Sequence, residues 1–528
     1  MTTGMTRRRF VGGAMAVGGA AMVPGVARAA NPPVREERRQ AVVIGSGFGG
    51  AVTALRLGQA GVQTVLLERG QRWASGGLNT FPSGLQVDRR TAWMGTSPQF
   101  SFFVPNPSGR YAGLMERIPN HDLAIECAAG LGGGSLMYQG VSITPNEQLF
   151  DQVMPAGLSF SEFDQTWWPR VRAMLKLQEI LADVLASPSY GGARMFMDFV
   201  ARAGLTPATP VAQTIDWEQA CRELRGETAR KFITNGDNVR GLNGPGRQSL
   251  DTNYLPAAAS TGNVEIRTLH WVRGVRRATG AGRWIVDIDK IDPRGRVLER
   301  IELTADAVFL CAGTGNTNRL LLRAKATGAL PDLPDTMGEQ FADNGDLSTF
   351  NTIDRPTARG QGGPVPVGCL DWDHEDGPVT MLWTNFPFGK LGLEANQMGI
   401  TAVTLPSGYG KFTWDTGADK MRLSYPVEVR REANDRARRR INQVIREGRG
   451  QMLNLTKADP ATYHALGGAV INHATDGYGR VPDHPGLYVG DGALIPGSTG
   501  CCNPSVTIAA LAERNTEKVL AEDLGSVF

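Results

Sequence analysis

A turn of closely spaced glycines and one acid carry the first chemistry that can be read in this 528-residue chain. The turn is Gly45-Ser46-Gly47-Phe48-Gly49-Gly50. Gly45 suits the tight turn, Gly47 lets backbone approach a pyrophosphate at a helix N-terminus, and Gly50 lets that helix pack closely on the strand before it. Glu68 stands 23 residues beyond Gly45; a carboxylate there accepts hydrogen bonds from a ribose 2′-hydroxyl and opposes a 2′-phosphate. These positions work only if fixed elements hold them. The apolar run Ala41-Val42-Val43-Ile44 predicts a buried strand, AVTALRLGQAG a helix, and Thr64-Val65-Leu66-Leu67 a second strand ending at Glu68. Strand, glycine turn, helix, strand and acid in that order predict a dinucleotide site for FAD or NAD.

The rest of the composition narrows the class. A hydrophobic content of 41% and this length provide for two or more domains with buried cores. Gly, 66 of 528 residues, exceeds the usual ~7%, and the excess gathers in clusters suited to close backbone approach to a ligand. Thr6-Arg7-Arg8-Arg9-Phe10-Val11, an uncharged Gly/Ala-rich stretch and Ala27-Arg28-Ala29 read as a twin-arginine signal over residues 1–29, which predicts export of a folded protein to a periplasmic or extracellular site. Its apolar stretch is shorter than the ~20 residues of a membrane span. Removing it takes four arginines and no acids, so the formal charge moves from +3 to −1, with 51 basic against 52 acidic residues. No basic field remains for nucleic acid: Arg430-Arg431 and Arg436 to Arg440 are interrupted by Glu432 and Asp435, as on a solvated helix face. The six cysteines, at 127, 221, 311, 369, 501 and 502, are too scattered for a disulfide framework and show no zinc spacing, so no metal is expected. The adjacent pair Cys501-Cys502 leaves three chemistries open: metal binding, a redox disulfide, or the edge of an active site.

Further segments separate FAD from NAD. Thr304-Ala305-Asp306-Ala307-Val308-Phe309-Leu310-Cys311-Ala312-Gly313 resembles the strand and turn found past the middle of many FAD enzymes. Leu487-Tyr488-Val489-Gly490-Asp491-Gly492 resembles their late Gly-Asp segment, where the Asp lies by the ribityl and phosphate groups. No second complete glycine unit offers a nicotinamide a separate home. Gly130-Leu131-Gly132-Gly133-Gly134-Ser135 resembles the loop that glucose-methanol-choline (GMC) oxidoreductases lay along the flavin. With RQSLDTNYL, GNVEIRTLHWV, LLLRAKATGALP, HALGGAV, DGYGRVPDHPGLYVGDGALIPGS and NPSVTIAALAERN in the same order, the chain from about residue 40 onward resembles the bacterial secreted cholesterol oxidases of that family, which bind FAD non-covalently.

The resemblance implies a Rossmann-like α/β FAD-binding domain, discontinuous over 36–150, 240–335 and 460–528, and an α+β substrate-binding domain on a mostly antiparallel sheet over 151–239 and 336–459. Within the latter, 161–187 and 427–448 read as helices and 400–426 as short strands. The implied FAD contacts are Gly45, Gly47, Phe48, Gly49, Gly50, Glu68, Gly130, Gly133, Gly134, Ser135, Val272, Gly313, Asp491, Gly492, Asn503 and Pro504. The implied catalytic pair is His464 and Asn503. A neutral imidazole accepts the hydroxyl proton while hydride leaves the carbinol carbon, and a fixed amide holds the alcohol oxygen. The other histidines, at 121, 270, 374, 473 and 484, match no catalytic motif and are expected to be structural or exposed.

The expected activity is therefore FAD-dependent oxidation of a secondary alcohol, such as the 3-hydroxyl of cholesterol or a related sterol, with O2 reduced to H2O2. The enzyme is expected to be monomeric, with transient contact at a membrane surface to extract its substrate. Three departures qualify the expectation. The buried glutamate that the family uses in double-bond migration has no counterpart in Thr380-Met381-Leu382-Trp383-Thr384-Asn385-Phe386-Pro387, and Glu394 matches a different position, so isomerisation is expected to be lost. Met137-Tyr138-Gln139 stands where the family tends to Val-Asn-Gly. One extra residue separates Ser498 from Asn503 in a loop that otherwise resembles the family's flavin-proximal one through its Gly-Ser-x-Gly and Asn-Pro, and that resemblance implies Cys501 and Cys502 on the active-site wall as small buried hydrophobes, with a vicinal disulfide as the alternative. Two other functions fit these departures: a GMC-type oxidase or dehydrogenase for a different apolar alcohol, and a sterol-binding flavoprotein of low turnover.

Overall fold

The computed structural model describes residues 34–82, 88–96, 109–236, 238, 240–280, 282–357, 360–385, 396–453 and 460–528. The signal segment 1–29, Phe386, Pro387 and Glu394 lie outside them. The chain adopts the expected mixed α/β class, with two large sheets. In the first, Val264–Arg267, Thr64–Leu67, Val34–Ile44 and Val297–Leu310 run parallel in that spatial order, and Leu487–Val489 also pairs in parallel with the end of Val297–Leu310. Trp284–Ile291 and His270–Arg277 continue from Val297–Leu310 as an antiparallel meander. Ala41, Val42, Val43, Val65 and Leu66 are fully buried, as strands covered on both faces require.

The helix Phe48–Gln59 follows the glycine turn and packs against the long C-terminal helix Ser505–Asp523. Contact here is too close for side chains: a Cβ at Gly49 would lie 1.7 Å from the Gly490 carbonyl oxygen, and one at Gly50 would lie 2.0 Å from that of Gly45. Gly45 itself has φ +102°, a conformation other residues resist.

The second sheet has six strands in the spatial order Gln451–Met452, Asp346–Thr352, Gln397–Thr404, Val379–Thr384, Val367–Asp371 and Thr209–Pro210, with every pairing antiparallel. One face packs on the helices Gly191–Arg202 and Val427–Arg446 through Met381, Trp383 and Ile400. The helix expected over 427–448 and the strands expected over 400–426 are present, the latter as Gln397–Thr404, Lys411–Asp415 and Lys420–Ser424. The helical reading of 161–187 needs correction: the helix stops at Leu175, Lys176 turns left-handed at φ 51°, and a separate short helix, Ala182–Ala186, follows.

Segment 342–346 joins the two halves. Ala342 exchanges backbone hydrogen bonds with Leu466 at 3.2 and 3.1 Å. Buried Asn344, left-handed at φ 60°, donates Nδ2–H to the Cys502 carbonyl at 2.7 Å and accepts from the Thr499 N–H at 3.0 Å. Asp346 then begins a strand of the second sheet. Asn344→Leu strands the Thr499 N–H in a buried loop and places a branched side chain at positive φ. We expect a loss of about 2–4 kcal/mol, read as a lowered midpoint of chemical denaturation; an unchanged midpoint would remove Asn344 from this role.

Candidate active site

The two glycine clusters meet. A Cβ at Gly133, which has φ +53°, would lie 2.8 Å from the Gly47 Cα. The Ser46 hydroxyl donates to Glu68 Oε2 at 2.6 Å and accepts from the Gly132 N–H at 3.0 Å, while the Gly70 N–H donates to Glu68 Oε1 at 2.8 Å. Burial pushes the Glu68 carboxyl above its ordinary pKa, against these hydrogen bonds.

These groups border one large cavity of about 1020 Å³. Of the residues predicted to hold FAD, Gly45, Gly47, Phe48, Gly49, Glu68, Gly133, Gly134, Val272, Gly313, Asp491, Gly492, Asn503 and Pro504 line it. At Gly47, Gly134 and Gly313 a Cβ would meet no protein atom within 4 Å, so the backbone there borders open space that a bound group can fill. The glycine-walled cavity thus fits a dinucleotide. Gly50, Gly130 and Ser135 are not among the lining residues. Gly50 sits under the Gly45 carbonyl, and Gly130 packs on Trp73. The Ser135 hydroxyl donates to the Gly132 carbonyl at 2.7 Å and accepts from the Leu250 N–H at 3.0 Å. These three shape the cradle from behind.

Asp491 ties two cavity-lining segments together. Its Oδ2 accepts from the Gly313 N–H at 2.8 Å and the Thr317 hydroxyl at 2.6 Å, and its Oδ1 accepts from the Ala493 N–H at 2.9 Å. Burial raises its pKa to about 6.

His464 and Asn503 line the same cavity. His464 follows the short strand Ala461–Thr462, which pairs in parallel with Ala124–Ala128. Its Nδ1 meets Asp346 Oδ1 at 2.8 Å, and its N–H donates to Thr462 Oγ1 at 2.9 Å. With Nδ1–H given to the carboxylate, Nε2 keeps the lone pair and can act as a base. Burial disfavours the imidazolium, but the charge and hydrogen bond of Asp346, with Asp343 behind it, outweigh burial and raise the His464 pKa. Asp343 also lines the cavity. It is held by the Tyr425 hydroxyl at 3.0 Å and the Gly345 N–H at 3.1 Å, and burial together with the nearby Asp346 raises its pKa to about 6. Asn503 stands at the entry to the helix Ser505–Asp523, whose positive end therefore faces the cavity. The Asn503 Oδ1 is buried and has no hydrogen-bond partner among the described residues, which leaves an acceptor for a ligand.

Reading the sequence missed Asp343 and Asp346. Phe341-Ala342-Asp343-Asn344-Gly345-Asp346 has the composition of an ordinary turn, and the only hint was two acids in so short a space. His270, expected to be structural or exposed, is buried and lines the cavity. Tyr138 lines the cavity, edge-on to Phe48 at 5.5 Å, with its hydroxyl bonded to Thr214 at 2.6 Å. The expected placement of Cys501 and Cys502 on the cavity wall needs correction. Both are free thiols at 0% exposure, neither lines the cavity, and Cys502 packs with Val141, Val365 and Leu382. The bonds from Asn344 and Thr499 to the Cys502 carbonyl turn the loop so that Asn503, not the thiols, reaches the cavity.

Residues 416–512 match the GMC oxidoreductase family, and residues 40–99 match the FAD binding domain family. A cholesterol oxidase of Mycobacterium tuberculosis is 25% identical, over 90% of this chain and 89% of its own. A cholesterol oxidase of Acinetobacter baumannii is 22% identical, over 90% of this chain and 93% of its own. The crystal structure of pyridoxine 4-oxidase from Mesorbium loti superposes with a TM-score of 0.57 at 14% identity, covering 92% of this chain and 99% of that one, and so shares the fold.

The contrast between two glycines tests the cradle. Gly47→Ala adds a methyl that touches no protein atom and is expected to keep the thermal midpoint of the flavin-free protein while lowering the flavin retained through gel filtration. Gly49→Ala drives its methyl into the Gly490 carbonyl and is expected to yield little folded protein. Equal flavin retention in Gly47→Ala and the parent would exclude a cofactor at that wall.

Proposed function

Because the chain is a GMC-type oxidoreductase with an FAD-binding domain, we propose that it oxidises the secondary hydroxyl of a sterol, or of a ring alcohol of similar size, with dioxygen as the final acceptor. The observation that carries this reading is the His464–Asp346 pair, 2.8 Å apart, in the same cavity as the glycine cradle and Asn503. Two relatives named cholesterol oxidase that align along most of their length support the sterol class. The twin-arginine segment supports export of the folded protein with its cofactor.

FAD, when bound, supplies the acceptor for the hydride that leaves the carbinol carbon and passes the electrons to dioxygen. The protein supplies position and proton transfer. The Asn503 amide holds the alcohol oxygen, so that the carbinol C–H keeps one direction. Nε2 of His464 takes the hydroxyl proton, and Asp346 stabilises the imidazolium that forms while fixing the ring tautomer. Thr384 and Asn385 line the cavity and carry no carboxylate, which supports oxidation without migration of a ring double bond.

Anaerobic mixing with cholesterol and a panel of ring alcohols is expected to bleach the flavin absorption. His464→Ala is expected to slow bleaching on the order of 10²–10⁴-fold. No bleaching by any ring alcohol would end this reading, and an unchanged rate in His464→Ala would end the assignment of the base.

The pH profile tests Asp346. Neutral His464 is the active form, so the rate rises with pH through its pKa, and Asp346 raises that pKa. Asp346→Asn is therefore expected to move the acidic limb of the bleaching rate to lower pH and to reduce the plateau. A limb that stays in place would separate Asp346 from the base.

A further inference from the structure

The sheet face that looks into the cavity is rich in hydroxyls. Strand register sets Ser348, Thr401 and Leu382 side by side in one row, and Phe350, Gly399 and Thr384 in a second row on the same face. All but Gly399 line the cavity. A Cβ at Gly399 would come 2.2 Å from Thr384 Oγ1, so glycine there leaves room for that hydroxyl. The alternate positions Met381, Trp383 and Ile400 point to the opposite face and are apolar at 0% exposure. The period of two in each strand thus places the hydroxyls toward the ligand and the hydrocarbon toward the core.

These hydroxyls have bonding capacity to spare. Ser348 and Thr401 bond one another at 3.0 Å; whichever donates, the other keeps a hydrogen to give. The Thr384 hydroxyl has no hydrogen-bond partner among the described residues. Arg430, Asn434 and Arg438, spaced four residues apart on the helix Val427–Arg446 behind the sheet, also border the cavity. A bare hydrocarbon skeleton laid on this face would displace water from each of these groups without replacing its hydrogen bonds.

We propose that the alcohol turned over here carries additional hydroxyl or keto oxygens on the face that meets Ser348, Thr384 and Thr401, so that its class is an oxygen-rich ring alcohol and not a plain hydrocarbon sterol. The proposal rests on the reading of the chain as a ring-alcohol oxidase and narrows it. It asks no further chemistry of the protein: hydride and proton leave one carbinol as before, and the other oxygens only bind.

The test uses the flavin-loaded enzyme and pairs of ring alcohols on one skeleton, with and without extra hydroxyls, such as cholesterol and a polyhydroxylated sterol. The hydroxylated member is expected to show kcat/KM for anaerobic bleaching at least about tenfold higher. Thr384→Val keeps the side-chain shape and is expected to shrink that ratio. The triple variant Ser348→Ala, Thr384→Val, Thr401→Val is expected to bring it close to one. If the triple variant fails to fold, the single variant carries the test. A parent ratio near one, or a ratio that neither variant moves, overturns the proposal and leaves the alcohol-oxidase reading standing. No bleaching by either member of any pair overturns both.

Discussion

The site depends on the segment 342–346, and above all on the buried amide of Asn344. Through Nδ2 and Oδ1 it grips the loop 499–502, whose direction sets Asn503. Its neighbours do the rest: Ala342 is bridged to Leu466 beside His464, and Asp346 bonds the imidazole itself. Five residues from the middle of the chain therefore set the relation between two groups that both lie near its C-terminal end. A buried amide is suited to this because it donates and accepts in one plane, and leaving either end unpaired is costly.

The same logic of close, satisfied contact builds the cofactor side. Gly49 under the Gly490 carbonyl and Gly50 under the Gly45 carbonyl bring the first helix, the first strand and the late Gly-Asp segment to backbone contact. Asp491 then secures the Gly313 turn through Oδ2 and its own following turn through Oδ1. Glu68, Asp343 and Asp491 all have raised pKa values because burial penalises their charge, and each is surrounded by donors that hold it in place. The cavity wall is polar at fixed points and open between them, as an elongated polar cofactor requires.

On the opposite side, strand alternation divides the second sheet into a dry face and a wet one. Trp383 and Ile400 anchor it to the helices behind, while Ser348, Thr384 and Thr401 face the cavity. The His464–Asp346 pair spans the seam, with Asp346 opening a strand of this sheet and His464 following a strand of a smaller one.

What could be read in the order of residues was local. The glycine turn, Glu68, the alternating and apolar strand patterns and the long helix after Pro504 are set within windows of a few turns, where backbone freedom and hydrophobic period act directly. His464 and Asn503 were reachable because short motifs mark them. Asp343 and Asp346 were not: they stand more than a hundred residues from His464, and nothing in an Asp-Asn-Gly-Asp turn announces a partner at that separation. The cysteines misled for the related reason that adjacency to Asn503 in sequence says nothing about which way a side chain turns. The left-handed Lys176 and the interruption of the helix there likewise depend on where the next segment must go. Pairings across such distances exist only once the two sheets have packed, because that packing alone determines which buried polar groups find each other and which face the cavity.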